Sequence, residues 1–145
     1  MAQGIECTYY TDGAARGNPG PAAAAFVCVE DGEVTHRYAR CLGKATNNVA
    51  EYRAVIAALE HAMSRGCRNI AIVSDSQLVI RQLSGSWQVK KEHLRALFDE
   101  AKERERRFET VRYGNVRRTD RYITMADALA NEALDTARGG GSTLK

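Results

Sequence analysis

Asn69-Ile70-Ala71-Ile72-Val73-Ser74-Asp75-Ser76-Gln77 is a short β-branched run that ends on an acidic residue and passes into a helical segment, residues 77–83. A second helical pattern, residues 47–65, precedes it, with Val55, Ile56, Leu59 and Met63 at helical spacing. A strand held between two helices cannot join its sequence neighbours through hairpins, so the later strands are expected to pair in parallel. Upstream the pattern differs. Residues 5–11 alternate with period two, placing Ile5, Cys7 and Tyr9 on one side, and residues 22–29 form a second strand. Asp31-Gly32 marks a tight hairpin into a third, residues 34–41. Downstream come a charged helix over 91–108 with Leu94, Leu97, Phe98 and Ala101 as its apolar stripe, a strand over 110–116 and a helix over 125–137. The order βββ-α-β-α-α-β-α predicts an α/β protein: a mixed five-stranded sheet, three antiparallel strands then parallel ones, flanked by helices.

The helix over 47–65 has Asn47 and Asn48 as candidate N-caps and Gly66 as its stop. At 145 residues and 44% hydrophobic content the chain suits one domain, residues 1–138, followed by a flexible tail, 139–145, that begins Gly-Gly-Gly-Ser. A net charge of +3 permits a polyanionic partner without requiring one. No apolar run is long enough to span a bilayer and no secretion signal is evident, so a soluble, cytoplasmic protein is expected. With no heptad stripe, a monomer is the default. Cys7, Cys28, Cys41 and Cys67 are spread along the sequence without zinc-site spacing and read as reduced, small core residues.

Four acidic residues stand at expected junctions of strand with loop or helix. Asp12 ends Tyr9-Tyr10-Thr11, Glu51 follows Thr46-Asn47-Asn48-Val49-Ala50, Asp75 closes its strand and Asp127 opens the last helix. A carboxylate at the end of a buried strand is costly unless paired, hydrogen-bonded or metal-bound. Four of them converging would repel one another, and a divalent cation resolves that repulsion. The pattern points to phosphodiester hydrolysis.

Asp12-Gly13-Ala14-Ala15-Arg16-Gly17-Asn18-Pro19-Gly20-Pro21, Thr46-Asn47-Asn48-Val49-Ala50-Glu51, Ser74-Asp75-Ser76-Gln77 and Ala126-Asp127 together resemble type 1 ribonuclease H, in the family's order and over nearly the whole chain. The resemblance implies that the first and fourth strands lie side by side, bringing Asp12 next to Asp75. It implies endonucleolytic cleavage of the RNA strand of RNA/DNA hybrids, leaving 5′-phosphate and 3′-hydroxyl ends. Asp12, Glu51, Asp75 and Asp127 would hold two Mg2+ ions, with Mn2+ able to substitute, and Asp12 would bridge them. Gly17, Asn18, Asn47 and Gln77 match positions that contact the 2′-hydroxyl and the DNA strand opposite. Thr46 with the Asn47 amide resembles a pocket for a DNA phosphate. The alternatives are a non-cleaving nucleic-acid-binding module of the same fold, or a related nuclease acting on duplex RNA or DNA.

Plainer readings apply to several features. Gly17-Asn18-Pro19-Gly20 is generic turn chemistry, and helix capping accounts for at least one of Asn47 and Asn48. Lys102 to Arg107 mixes charges as a solvated helix face does. Trp87 beside Lys90 and Lys91 either touches the DNA backbone or packs at the edge of the core. His36, His61 and His93 lack metal-ligand spacing. Two departures from the family pattern stand out. The segment between the middle helices is too short for the basic protrusion some members carry, so hybrid binding is expected to be weaker or more salt-sensitive. The loop before Asp127, Val116-Arg117-Arg118-Thr119-Asp120, has no histidine, and Arg118 is assigned a supporting role near the leaving phosphate, with Arg117 as runner-up.

Overall fold

The computed structural model describes residues 4–138. The tail at 139–145 lies outside the described residues. Five strands and four helices follow in the order β1 (Cys7–Ala15), β2 (Gly20–Glu30), β3 (Glu33–Ala45), α1 (Asn47–Ser64), β4 (Asn69–Ser74), α2 (Gln77–Leu83), α3 (Glu92–Glu105), β5 (Thr110–Asn115) and α4 (Arg121–Arg138). The sheet order is β3-β2-β1-β4-β5. β1, β2 and β3 pair antiparallel, while β4 pairs parallel to both β1 and β5. The expected class and strand directions are therefore observed. Among the described residues no helix is long and apolar enough to cross a membrane.

The β2–β3 hairpin turns at Asp31 and Gly32, with φ of 52° and 80°. Two successive positive φ values match the right-handed twist of the paired strands, which explains the preference for Asp-Gly there. The two faces of the sheet differ. On one, Tyr9, Phe26, Ile70 and Ile72 pack with Tyr52, Val55 and Leu59 of α1 and with Leu94 and Leu97 of α3. On the other, Ala23 and Ala25 of β2 meet Ala126, Ala130, Ala133 and Leu134 of α4. Alanine against alanine lets the helix lie close to the strands.

Several boundaries depart from the sequence reading; β3 runs on to Ala45 and α3 stops at Glu105. Asp12 does not end β1. The strand stops pairing with β4 at Thr11↔Ser74 but continues against β2 to Ala15↔Ala22. The Gly-Ala-Ala that follows Asp12 is therefore strand, and at Gly13 there is no room for a side chain. Ile5 lies outside the strand and is 36% exposed, so it does not share the buried face of Cys7 and Tyr9. The cap of α1 is Thr46 and neither asparagine: its extended backbone turns the hydroxyl to accept the Val49 N–H at 3.2 Å. In the same helix Ala62 takes a core position and Met63 is only half-buried.

The last helix starts at Arg121, four residues before the expected Met125. Asp120 caps it, one carboxylate oxygen accepting the Tyr122 and Ile123 N–H groups at 2.9 and 3.1 Å. Its carbonyl takes the first helical bond from Thr124 N–H. Asp127 therefore sits in the second turn instead of opening the helix. Asp120→Ala is expected to cost about 1 kcal/mol and to lower the melting temperature by roughly 2–5 °C in a thermal unfolding scan. A melting point equal to the parent's would show that the cap is dispensable.

Candidate active site

The parallel register of β1 and β4 builds the centre of the site. Thr11 pairs with Ser74, so the next residue on each strand, Asp12 and Asp75, emerges at the same sheet end. That is where open α/β sheets place their ligands. Along β1, Tyr10, Asp12 and Ala14 alternate onto the α4 side. The Tyr10 ring meets that of Tyr122 at a 44° tilt, centroids 4.8 Å apart, and Ala14 packs with the α4 alanines. Gly13 faces α1 instead. A Cβ there would lie 2.3 Å from the carbonyl carbon of Ala50 and 2.4 Å from the Glu51 nitrogen. Only glycine lets α1 cross so close, and the crossing delivers Glu51. The Gly13 N–H donates to Glu51 Oε1 at 3.1 Å.

One carboxylate oxygen from each of Asp12, Glu51 and Asp75 lies within 4.8 Å of the others. Asp12 and Glu51 are each 5% exposed, Asp75 is half-buried and Asp127 is exposed at the rim. Burial, then the charges of Asp75 and Asp127, push the Asp12 carboxyl up to about 8. Burial and the charges of Asp12 and Asp75 raise Glu51, partly offset by the Gly13 N–H. Asp75 is raised mainly by burial. Among the described residues no salt bridge joins any of the three to a basic side chain. Crowded, desolvated carboxylates with all-oxygen donors fit a hard divalent cation, which would relieve the repulsion holding their protons on.

The cluster forms the floor of an open cleft of about 860 Å³, with Asn47, Arg118, Thr119, Asp127 and Asn131 among its walls. Arg118 is exposed, and its guanidinium charge draws down the carboxyls of both Asp12 and Asp75. Arg117 does not line the cleft, so of the two candidates it is Arg118 that faces the carboxylates.

The profile of the reverse transcriptase-like family matches residues 10–133, a span that contains all four carboxylates. A protein named ribonuclease HI from Halobacterium salinarum is 46% identical over 129 residues, 88% of this chain and 64% of its own length. The crystal structure of RNase H1 from that organism superposes with a TM-score of 0.85 at 45% identity, covering 89% of this chain and 97% of that one.

The chain belongs to the type 1 ribonuclease H family.

Another ribonuclease H1, LC11-RNase H1, was solved in complex with an RNA/DNA hybrid; it matches with a TM-score of 0.86 at 34% identity over 91% of this chain and 99% of that one. The Mycobacterium tuberculosis bifunctional protein Rv2228c is 41% identical over 128 residues. The present chain spans 87% of itself in that match but only 35% of the mycobacterial protein.

Of the residues in this ribonuclease H domain expected to touch substrate, Asn47 lines the cleft, and Gly17, Asn18, Thr46 and Gln77 do not. Gly17 and Asn18 form the turn between β1 and β2, and Asn18 Oδ1 accepts the Asn47 N–H at 2.9 Å. The Asn47 amide and the Thr46 hydroxyl, read as a phosphate pocket, are thus both engaged within the protein. Gln77 is exposed at the first turn of α2. Trp87 is 43% exposed on the link over 84–91, its ring under the Arg81 guanidinium at 5.5 Å, and Lys90 is exposed on the same link. Neither Trp87 nor Lys90 lines the carboxylate cleft.

The sequence reading missed the support for Asp127. Asn131, one helical turn on, donates to the Asp127 carbonyl at 2.9 Å and to its carboxylate at 3.3 Å. Arg16 donates to both the carbonyl and the side-chain oxygen of Asn131 at 3.2 Å and pairs with Asp135 at 2.8 Å. The i,i+4 spacing of Asp127 and Asn131 was the available signal. Nothing in the sequence announced Arg16, 115 positions before Asn131.

Proposed function

We propose that this chain is an endonuclease that hydrolyses the RNA strand of RNA/DNA hybrids, leaving 5′-phosphate and 3′-hydroxyl ends. The observation that carries the reading is the convergence of Asp12, Glu51 and Asp75 within 4.8 Å on the floor of an open cleft. Asp12 would be the ligand that two Mg2+ ions share. Glu51 and Asp75 would each complete one side, and exposed Asp127 would serve as the ligand free to come and go. Bound there, the ions would supply Lewis acidity for an attacking water and for the charge on the leaving 3′-oxygen; Mn2+, which shares the oxygen preference, would substitute.

The protein's own groups do the rest. The Gly13 N–H orients Glu51, and Asn131, fixed by Arg16, orients Asp127. A DNA phosphate entering the Thr46–Asn47 turn displaces Asn18 Oδ1 from the Asn47 amide. The freed Asn18 side chain then reaches the shallow groove where RNA exposes its 2′-hydroxyl. Gln77 and the Gly17 backbone contact the same groove. Trp87 and Lys90, off to one side, meet the DNA backbone.

Methylating the 2′-oxygens over a central stretch of RNA in an end-labelled hybrid tests the substrate class. Cleavage is expected to vanish within and next to the methylated stretch and persist outside it. Uniform cutting through the stretch would show that the 2′-hydroxyl is not read.

Arg118 adds positive charge beside the scissile phosphate. Arg118→Ala is expected to lower kcat roughly 10- to 100-fold with a smaller change in KM. Turnover equal to the parent's would remove Arg118 from the mechanism.

A further inference from the structure

Away from the cleft, about 16 Å back along β1 from Asp12, three of the four cysteines meet. Cys7 opens β1, Cys28 lies near the end of β2, and Cys67 sits in the turn after α1. All are free thiols; Cys7 and Cys28 are buried and Cys67 is half-buried. Their sequence spacing gave no hint of this, because the sheet pairs β1 with both β2 and β4. The sulfurs of Cys7 and Cys67 are 3.2 Å apart. Arg65 Nη1 lies 4.0 Å from Cys7 Sγ and 3.8 Å from Cys28 Sγ, and it is ion-paired with Glu30.

Two chemistries suit such a cluster. A thiolate-bound metal would draw on Cys7, Cys28 and Glu30, whose ligand atoms lie within 4.8 Å of one another. A cationic guanidinium already touches both sulfurs, however, and it holds the carboxylate. That occupant repels a metal ion and favours thiolate. We propose that Cys7 and Cys67 form a site of oxidative modification that closes to an intramolecular disulfide when a low-molecular-weight disulfide such as oxidised glutathione supplies the oxidising equivalents.

The sulfurs need to close by only about 1.2 Å to reach the ~2.05 Å of a bond. Cys67, the sulfur nearest solvent, attacks the reagent as thiolate; its S–S bond breaks and one small thiolate leaves, taking a proton from water. Cys7 then attacks Cys67 Sγ, expelling the second small thiolate, while the Cys7 proton passes to Cys28 and from there to the departing thiolate. Two protein thiols and one disulfide become one protein disulfide and two small thiols. Cys28 is placed to accept that proton, its sulfur lying within 4.8 Å of Cys7 Sγ. The neighbouring Cys7 lowers the Cys28 thiol to about 6, and Cys28 in turn raises Cys7. The bond would tie the start of β1 to the turn leading into β4, beside the pair Cys7↔Ile70, and so brace the register that aligns Asp12 with Asp75.

The test incubates the reduced full chain with oxidised glutathione, alkylates remaining thiols, and maps peptides without reduction. A Cys7–Cys67 linked peptide, with two of the four thiols protected and a melting temperature several degrees above the reduced form, is the expected result. Cys67→Ser, at a half-buried position, should lose the bond and keep the fold. Cys28→Ser should form it at least tenfold more slowly, with the glutathione adduct at Cys67 accumulating. A wild-type chain that stops at the mixed disulfide, links Cys28 or Cys41 instead, or takes up equimolar zinc on these thiols in place of oxidation would overturn the proposal. An unchanged rate in Cys28→Ser would overturn the role given to Cys28.

Discussion

Asp12→Asn is expected to reduce hybrid cleavage by at least about 10³-fold and, in the same protein, to raise the melting temperature without metal. The first effect follows from position. A carboxylate oxygen of Asp12 lies within 4.8 Å of those of Glu51 and Asp75, in the cleft that Asp127 also lines, and asparagine retains its shape without its charge. The second follows from the cost of that charge. Asp12 is 5% exposed among other carboxylates, and its carboxyl is pushed up to about 8. A carboxyl held above its unfolded value binds its proton more tightly in the folded state. Its favourable contribution is therefore complete below about pH 4 and is lost as pH rises through about 8.

The metal-free parent should thus lose stability across that window, and the variant should lose less of it. At pH 8 the gain in the variant is expected to be roughly 2–5 kcal/mol, read in metal-free urea titrations. An Asp12→Asn protein less stable than the parent at pH 8 would mean that burial of Asp12 is not costly. A functional group that weakens the empty fold marks a position shaped for a ligand.

Gly13→Ala is the second large effect. Its Cβ would enter at 2.3 Å from the Ala50 carbonyl carbon and 2.6 Å from the Ala50 oxygen, all backbone of α1. No side-chain rotation relieves such a contact; helix and strand must separate. The expected loss is about 3–5 kcal/mol, with cleavage falling further than stability because Glu51 moves with the helix and loses the Gly13 N–H. Urea unfolding and single-turnover cleavage measured on one preparation check both. A stable, active Gly13→Ala protein would contradict the close crossing of β1 and α1.

The sequence made the sheet readable because its connections are distinctive. The Asp-Gly hairpin and the helix-bounded run at 69–74 assign the strand directions almost unaided. The carboxylates were readable from the short motifs around them, although only Asp75 lies between two elements; Asp12 is inside β1, Glu51 inside α1 and Asp127 in the second turn of α4. Boundaries governed by side-chain hydrogen bonds were not. Asp120 resembles its charged loop neighbours until its carboxylate is seen under two N–H groups, and Thr46 outcompetes two asparagines because its backbone alone is extended. The extension of β1 through Ala15 was hidden because Gly-Ala-Ala has little strand preference; α1 and β2 dictate it from opposite sides. Contacts made across the sequence escaped for the same reason. Arg16 on Asn131 and the three thiols around Cys7 depend on strand pairing, and no local pattern carries that information.

The most direct test incubates the purified chain with an end-labelled RNA/DNA hybrid, duplex RNA and duplex DNA, with Mg2+ or with a chelator, beside Asp12→Asn prepared identically. Metal-dependent cutting confined to the RNA strand of the hybrid, and absent in Asp12→Asn, is the predicted result. Hybrid binding without cleavage, or cutting that Asp12→Asn retains, would contradict the assignment of these carboxylates to catalysis.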